Sequence, residues 1–199
     1  MPVHFGGLSA DMEKIRALAG DRIIIEDAAH ALGGNYSCGR PVGCGAYSDM
    51  CTFSFHPVKP ITTGEGGAIV TNNPKLAHLL RLFRSHGIEK DSANLVGTNT
   101  QSGIDLQRPW YYEQQYLGFN YRLTDIQAAL GLSQISKLKS FISERQSIAL
   151  TYDTAFNDSP NISIPQSSKG SRLISGQHLY VVQFEFEEIG YNREEIMRK

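Results

Sequence analysis

Arg22-Ile23-Ile24-Ile25-Glu26-Asp27-Ala28-Ala29-His30-Ala31 is the stretch on which the fold turns. A short β-branched apolar run without polar alternation reads as a strand covered on both faces, as in a parallel sheet. Ahead of it, Leu8, Met12, Ile15 and Leu18 recur at helical spacing, which predicts a helix over 10–19 with Ser9 as its cap and Gly20 as its stop. A helix followed by such a strand, repeated along the chain, is the α/β pattern.

Working outward, Ser48–Phe55 and Gly67–Thr71 read as two further strands. The segment between them, Phe53-Ser54-Phe55-His56-Pro57-Val58-Lys59-Pro60-Ile61-Thr62-Thr63-Gly64-Glu65-Gly66-Gly67, holds two prolines and three glycines and is a shaped loop. Asn73 caps a helix with Pro74 at its first position, running to Gly87. Residues 88–117 carry no clear periodicity, and Trp110, Tyr111, Tyr112 and Tyr116 gather near their end as a long functional or interface loop. Thr124 caps a long helix whose stripe runs from Ile126 through Ile142, with Gly131 marking a close approach inside it. Asn157–Ser171 is a polar connector, His178–Phe186 opens another strand, and Asn192 starts a capped helix. The alternation is entered midway and the last helix has about two turns, too few to stand alone. The reading is of a piece of a larger enzyme.

Composition narrows the field. The 199 residues are 41% hydrophobic and 20% charged, as in ordinary globular chains, with a net charge of -1. That balance removes the electrostatic case for a nucleic-acid binder. No apolar run approaches the ~20 residues of a membrane helix, and the N-terminal residues lack the pattern of a signal peptide. Cys38, Cys44 and Cys51 are odd in number and form no C-x-x-C pair, so they read as reduced thiols rather than a disulfide frame or a metal site, and the expected location is cytoplasmic.

Lys59 carries the chemistry. Alone it would be a solvated surface lysine, but Ser54 stands five residues earlier at a strand end and Asp27 ends the isoleucine-rich strand, where α/β sheets bind ligands. A lysine for a Schiff base, an aspartate for a pyridine nitrogen and a serine for a phosphate are the parts of a pyridoxal phosphate (PLP) site. Glu65-Gly66-Gly67 reads as a tight turn, Arg122 as a structural or substrate arginine, and His4, His56 and His78 as structural. His86 suits a helix end, and His178 either faces the substrate or begins a strand.

Four motifs, Glu26-Asp27-Ala28-Ala29-His30-Ala31, Ser54-Phe55-x-x-x-Lys59, Gly64-Glu65-Gly66-Gly67 and Gly118-Phe119-Asn120-Tyr121-Arg122, resemble the nucleotide-sugar aminotransferases of the DegT/StrS type, which are fold-type I PLP enzymes. The resemblance runs from Pro2 to Tyr180, and finer features (SFHPVKPITTGEGG, LFRSHG, HLY) are most like the pseudaminic acid branch, with the 4-amino-arabinose branch sharing the SFH…K pattern. It implies a three-layer α/β/α, aspartate aminotransferase-like large domain over residues 1–156 and the start of a smaller α+β domain over 157–199. It further implies catalysis by Lys59 and cofactor contacts from Lys59, Asp27, His30 and Ser54. Asn120 would reach the cofactor phosphate of the neighbouring subunit, making a homodimer with shared sites. The implied substrates are a nucleotide-linked 4-keto-6-deoxy sugar and glutamate. Two rivals remain beside it: a PLP-type sugar dehydratase, which Lys59 opposes because those enzymes carry histidine there, and a truncated remnant that binds a partner without turnover.

Overall fold

The computed structural model describes residues 1–96 and 109–198, which form two compact units, one of Met1–Val70 with Ile126–Lys199 and one of Thr71–Asp125. In the first unit, α1 (Met12–Ala19) begins two residues later than its apolar spacing predicts. Asp11, not Ser9, is the cap, its carboxylate accepting the Lys14 N–H. Gly20, at φ 58°, ends the helix as expected.

The isoleucine run yields a shorter strand than its composition predicts. Asp49 captures the Ile24 N–H through its carboxylate (2.8 Å), and Ile23 is 72% exposed, so the ladder starts at Ile25. Strand β1 (Ile25–Asp27) pairs in parallel with β2 (Met50–Ser54), Asp27 opposite Thr52, and β2 pairs antiparallel with β3 (Gly67–Val70), Ser54 opposite Gly67. On the other side of β1 the N-terminal segment adds a parallel bridge between Val3 and Asp27. A mixed sheet with its parallel pair inside follows. Met12, Ile24, Ala28, Tyr36, Val42 and Cys51 pack together as the core.

The second unit contains α2 (Pro74–Arg84), β4 (Ile88–Glu89) and β5 (Glu113–Gln114). Asn73 caps α2 as read, accepting from Lys75 and Leu76 N–H with Pro74 at the first turn. The two short strands pair antiparallel within what reads as a long loop. His86 follows the end of α2, as read, and takes a left-handed φ of 63° where its N–H donates to Phe119 O.

Back in the first unit, the expected single long helix is two: α3 (Asp125–Ile135) and α4 (Leu138–Phe156). The break falls at Ser136-Lys137, where the Ser136 hydroxyl donates to Ser133 O (2.9 Å) and Lys137 N–H to Gln134 O. A side-chain bond to its own preceding turn competes with helix continuation. The stripe divides with it: Ile142 is buried, whereas Ile126 is 85% exposed. Gly131 does mark a close approach, since a Cβ there would stand 3.0 Å from Thr63 Cγ2.

The remaining elements are β6 (Ile162–Ser163), α5 (Lys169–Ile174), β7 (Gln183–Phe184), α6 (Phe186–Ile189) and α7 (Arg193–Arg198). Of the strand expected over 178–186, two residues join a ladder, against β6. His178 and Leu179 instead donate their N–H groups to Gly6 O. Asn192 and Glu195 form a reciprocal cap at α7. Among the described residues no helix is long and apolar enough to cross a membrane.

Candidate active site

The register sets the site. Asp27 ends β1 opposite Thr52, and β2 runs on two residues further to Ser54, so both side chains lie at the carboxyl edge of a parallel pair. The chain then makes a closed loop: Phe55 N–H donates to Gly66 O, and Thr63 N–H and the Thr62 hydroxyl both donate to Phe55 O. Lys59 sits inside it, its N–H bonded to His56 O (2.9 Å), next to the buried Pro60 and Ile61. The loop is braced from α3, where the Gln127 amide donates to Glu65 O (2.9 Å). Glu65-Gly66-Gly67 is a turn device, with Gly66 at φ 149°.

His30 follows β1 by three residues and accepts the Gly6 N–H on Nδ1 (3.3 Å), which leaves the proton on Nε2. Burial and then the Lys59 ammonium lower its pKa, and the Asp27 carboxylate opposes them. His30 therefore stands within electrostatic reach of both charges. Asp27 Oδ1 accepts the Ala29 N–H (3.1 Å). Ser54 Oγ accepts the His56 N–H (3.4 Å), so its own proton remains to be donated outward. Asn120 belongs to the second unit, where its backbone bridges Ser85.

Two features depend on contacts that the sequence does not display. His4, Glu26, Tyr36 and Ser48 form a polar knot around the residue that precedes Asp27, with the first three buried: His4 Nε2 donates to Glu26 (2.7 Å), and the Tyr36 and Ser48 hydroxyls donate to the same carboxylate. Burial pushes Glu26 upward, yet these donors together hold its pKa below the ordinary value. Second, the His178 ring lies against His30, their centroids 4.5 Å apart and their planes tilted by 44°, a pairing of residues 148 apart in the chain that the sequence does not display.

A lysine on a closed loop suits an aldehyde, a strand-end carboxylate suits a cationic ring nitrogen, and a serine hydroxyl that keeps its proton suits a phosphate, with the His30 imidazole within reach of the first two. The class this fold and site define is the fold-type I PLP enzymes. The description "DegT/DnrJ/EryC1/StrS aminotransferase family" matches residues 1–199, and the chain belongs to that family, with pyridoxal phosphate the cofactor that membership implies. The chain is 40% identical to the UDP-4-amino-4,6-dideoxy-N-acetyl-beta-L-altrosamine transaminase of Campylobacter jejuni subsp. jejuni serotype O:23/36 (strain 81-176), over 98% of this chain and 46% of that protein. It is 36% identical to the spore coat polysaccharide biosynthesis protein SpsC of Bacillus subtilis (strain 168), over 99% of this chain and 48% of that one. Among solved structures it resembles Helicobacter pylori PseC, an aminotransferase involved in the biosynthesis of pseudoaminic acid, at a TM-score of 0.76 and 34% identity, covering 94% of this chain and 46% of that one. The chain spans about half the length of these relatives.

Proposed function

We propose that the protein is a PLP-dependent aminotransferase that converts a nucleotide-linked 4-keto-6-deoxy sugar to the 4-amino sugar, with glutamate as donor, and that its substrate is the UDP-linked sugar of the altrosamine transaminases. The observation that carries the reading is the placing of Lys59 on a braced loop within electrostatic reach of a neutral His30 and, through it, Asp27. The finer substrate assignment is supported by the words attached to the Campylobacter and Helicobacter relatives.

Each residue has a part that follows from its chemistry. When bound, the cofactor supplies an electron sink that makes a C–H bond next to nitrogen acidic. Lys59 Nζ, half-buried, takes that proton up and returns it as a general base and acid. Asp27 holds a compensating negative charge at the ring nitrogen, His30 Nε2 donates a hydrogen bond, and the Ser54 hydroxyl donates to a phosphate oxygen. A lysine rather than a histidine at position 59 separates this reading from a dehydratase. We further propose that residues 1–156 are part of the cofactor-binding domain and 157–199 open the small domain, that the enzyme is a cytoplasmic homodimer, and that Asn120 completes the partner's phosphate site.

The test is direct. The protein mixed with PLP should gain an absorbance band near the visible edge that borohydride fixes on Lys59, and full-length enzyme should move nitrogen from glutamate to the UDP-linked keto sugar. Label found on a different lysine, or wild-type turnover kept above a tenth by Lys59→Ala, would remove Lys59 from the chemistry.

A further inference from the structure

The histidines of the first unit differ in one respect. His4 accepts the Ala10 N–H on Nδ1 (3.1 Å), and His30 accepts the Gly6 N–H on Nδ1 (3.3 Å). Both are thereby pinned as Nε2–H donors. The Nδ1 of His178 is buried and has no hydrogen-bond partner among the described residues. A buried ring nitrogen left unpaired is costly in either tautomer. The protein therefore does not decide whether Nε2 of His178 carries a proton or a lone pair.

The backbone that carries the ring is nonetheless held firmly. The backbone N–H groups of His178 and Leu179 donate to Gly6 O (3.0 Å each), and Arg145 of α4 donates to the carbonyls of Gln177 and His178. Gln177 is forced to a left-handed φ of 48°, stabilised by its side-chain bonds to Arg172. Strain of that kind persists where surrounding structure over-determines it, commonly at functional sites. Gly7 lies so close that a Cβ there would stand 2.7 Å from Gln177 N. The groups acting on the imidazole are the His30 ring after β1, the Lys59 ammonium of the loop after β2 and the Arg145 guanidinium of α4. With burial, which is the largest influence, they push its pKa down to about 4, so it is neutral at pH 7.

An aminotransferase works on two chemically unlike substrates at one lysine. The amino acid presents carboxylates, which only accept hydrogen bonds; the sugar presents hydroxyls, which can also donate. We propose that His178 is a substrate-contact residue whose Nε2 donates to a carboxylate of the amino donor in one half-reaction and accepts from a sugar hydroxyl in the other, its tautomer set by the occupant. The proposal rests on the aminotransferase reading above.

The test uses full-length holoenzyme and measures the two half-reactions separately, with L-glutamate and with the UDP-linked 4-keto sugar. His178→Phe keeps a ring but no hydrogen bond and should lower kcat/KM 10- to 100-fold in both halves, and His178→Gln, whose amide both donates and accepts, should recover most of that loss. In wild-type enzyme, nitrogen-15 NMR of the imidazole should show Nε2 of His178 protonated with glutarate bound and unprotonated with the UDP-amino sugar product bound, while His30 keeps Nε2–H in both. One and the same His178 tautomer in both complexes, or a His178→Phe defect confined to one half-reaction, overturns the proposal. Wild-type enzyme that transfers no amine overturns the function itself; wild-type transfer with both half-reactions intact in His178→Phe overturns this inference alone.

Discussion

Replacing Tyr36 by phenylalanine removes one oxygen that ties three parts of the chain together. The hydroxyl donates to Glu26, 2.8 and 2.9 Å from its two oxygens, and accepts the Gly43 N–H at 3.1 Å. Tyr36 and Glu26 are both buried, so water cannot replace what is lost. Losing a hydrogen bond to a charged group costs about 1.5–3 kcal/mol, and leaving the Gly43 N–H unpaired adds to it, so a total of about 3 kcal/mol is expected. With a urea m-value of about 2 kcal/mol/M, the unfolding midpoint should fall by about 1.5 M. The pH dependence has a definite sign. A carboxyl whose folded pKa is depressed, as that of Glu26 is, stabilises the fold above its unfolded value of about 4.3 and loses that contribution as pH falls through the folded value. Tyr36→Phe takes away one of the donors that outweigh burial, so acid unfolding should begin at a higher pH than in wild type. Urea titration at pH 7 and circular dichroism across pH 2–6 measure the two effects. A urea midpoint lowered by less than about 0.3 M, with an unchanged acid transition, would refute the assignment of the knot as a stabilising network.

Three further outcomes follow from the same geometry. Asp27→Asn in the full-length enzyme should keep the fold and lose far more than threefold in kcat; a smaller loss, under ~1 kcal/mol of barrier, would make the aspartate structural. Arg172→Met should destabilise by about 3–5 kcal/mol, because Arg172 Nε and Nη2 grip the Asp153 carboxylate at 2.9 and 2.6 Å and its loss strands that partly buried charge; a melting temperature within 2 °C of wild type would contradict this. Lys59→Ala and Asn120→Asp, each inactive alone, should recover roughly a quarter of wild-type activity when co-expressed, since half of randomly paired dimers are mixed and each has one intact site; no recovery would confine Asn120 to its own subunit.

What was legible in the sequence is what local chemistry decides. Asn73-Pro74 opens α2 as read, because a cap and a first-turn proline act within four residues. Gly131 marked a close approach because glycine inside a helix needs a reason, and Thr63 is that reason. The failures share a cause of the opposite kind. Ile23 and Ile24 look like strand, but Asp49, twenty-five residues away, takes the Ile24 N–H. His178–Val182 looks like strand, but Gly6 takes the N–H groups of His178 and Leu179. At the proposed site, Lys59, Asp27 and Ser54 were singled out by residue type alone, whereas His178 beside His30 and His4 beside Glu26 depend on segments brought together from far apart in the chain. Periodicity and composition contain no record of such pairings.

The adjacency of Glu26 and Asp27 joins these observations. Successive residues of a strand face opposite ways, so one acid of the pair must turn from the site if the other serves it. Glu26 turns inward, where an unpaired carboxylate would be prohibitive. Donors from His4, Tyr36 and Ser48 make it tolerable, and each comes from a different segment. His4 also reaches the Asp27 backbone, its N–H donating to Asp27 O (3.0 Å), while Asp27 N–H donates to Pro2 O (2.9 Å). The inward acid thus recruits the N-terminal segment, and that segment clamps the main chain of the outward one. From there it continues to Gly6, whose N–H fixes the His30 tautomer and whose carbonyl holds His178. One buried charge, once compensated, thus ties the strand end and both imidazoles to the same N-terminal segment, which is why the damage from Tyr36→Phe should reach the His30 pKa as well as the melting curve.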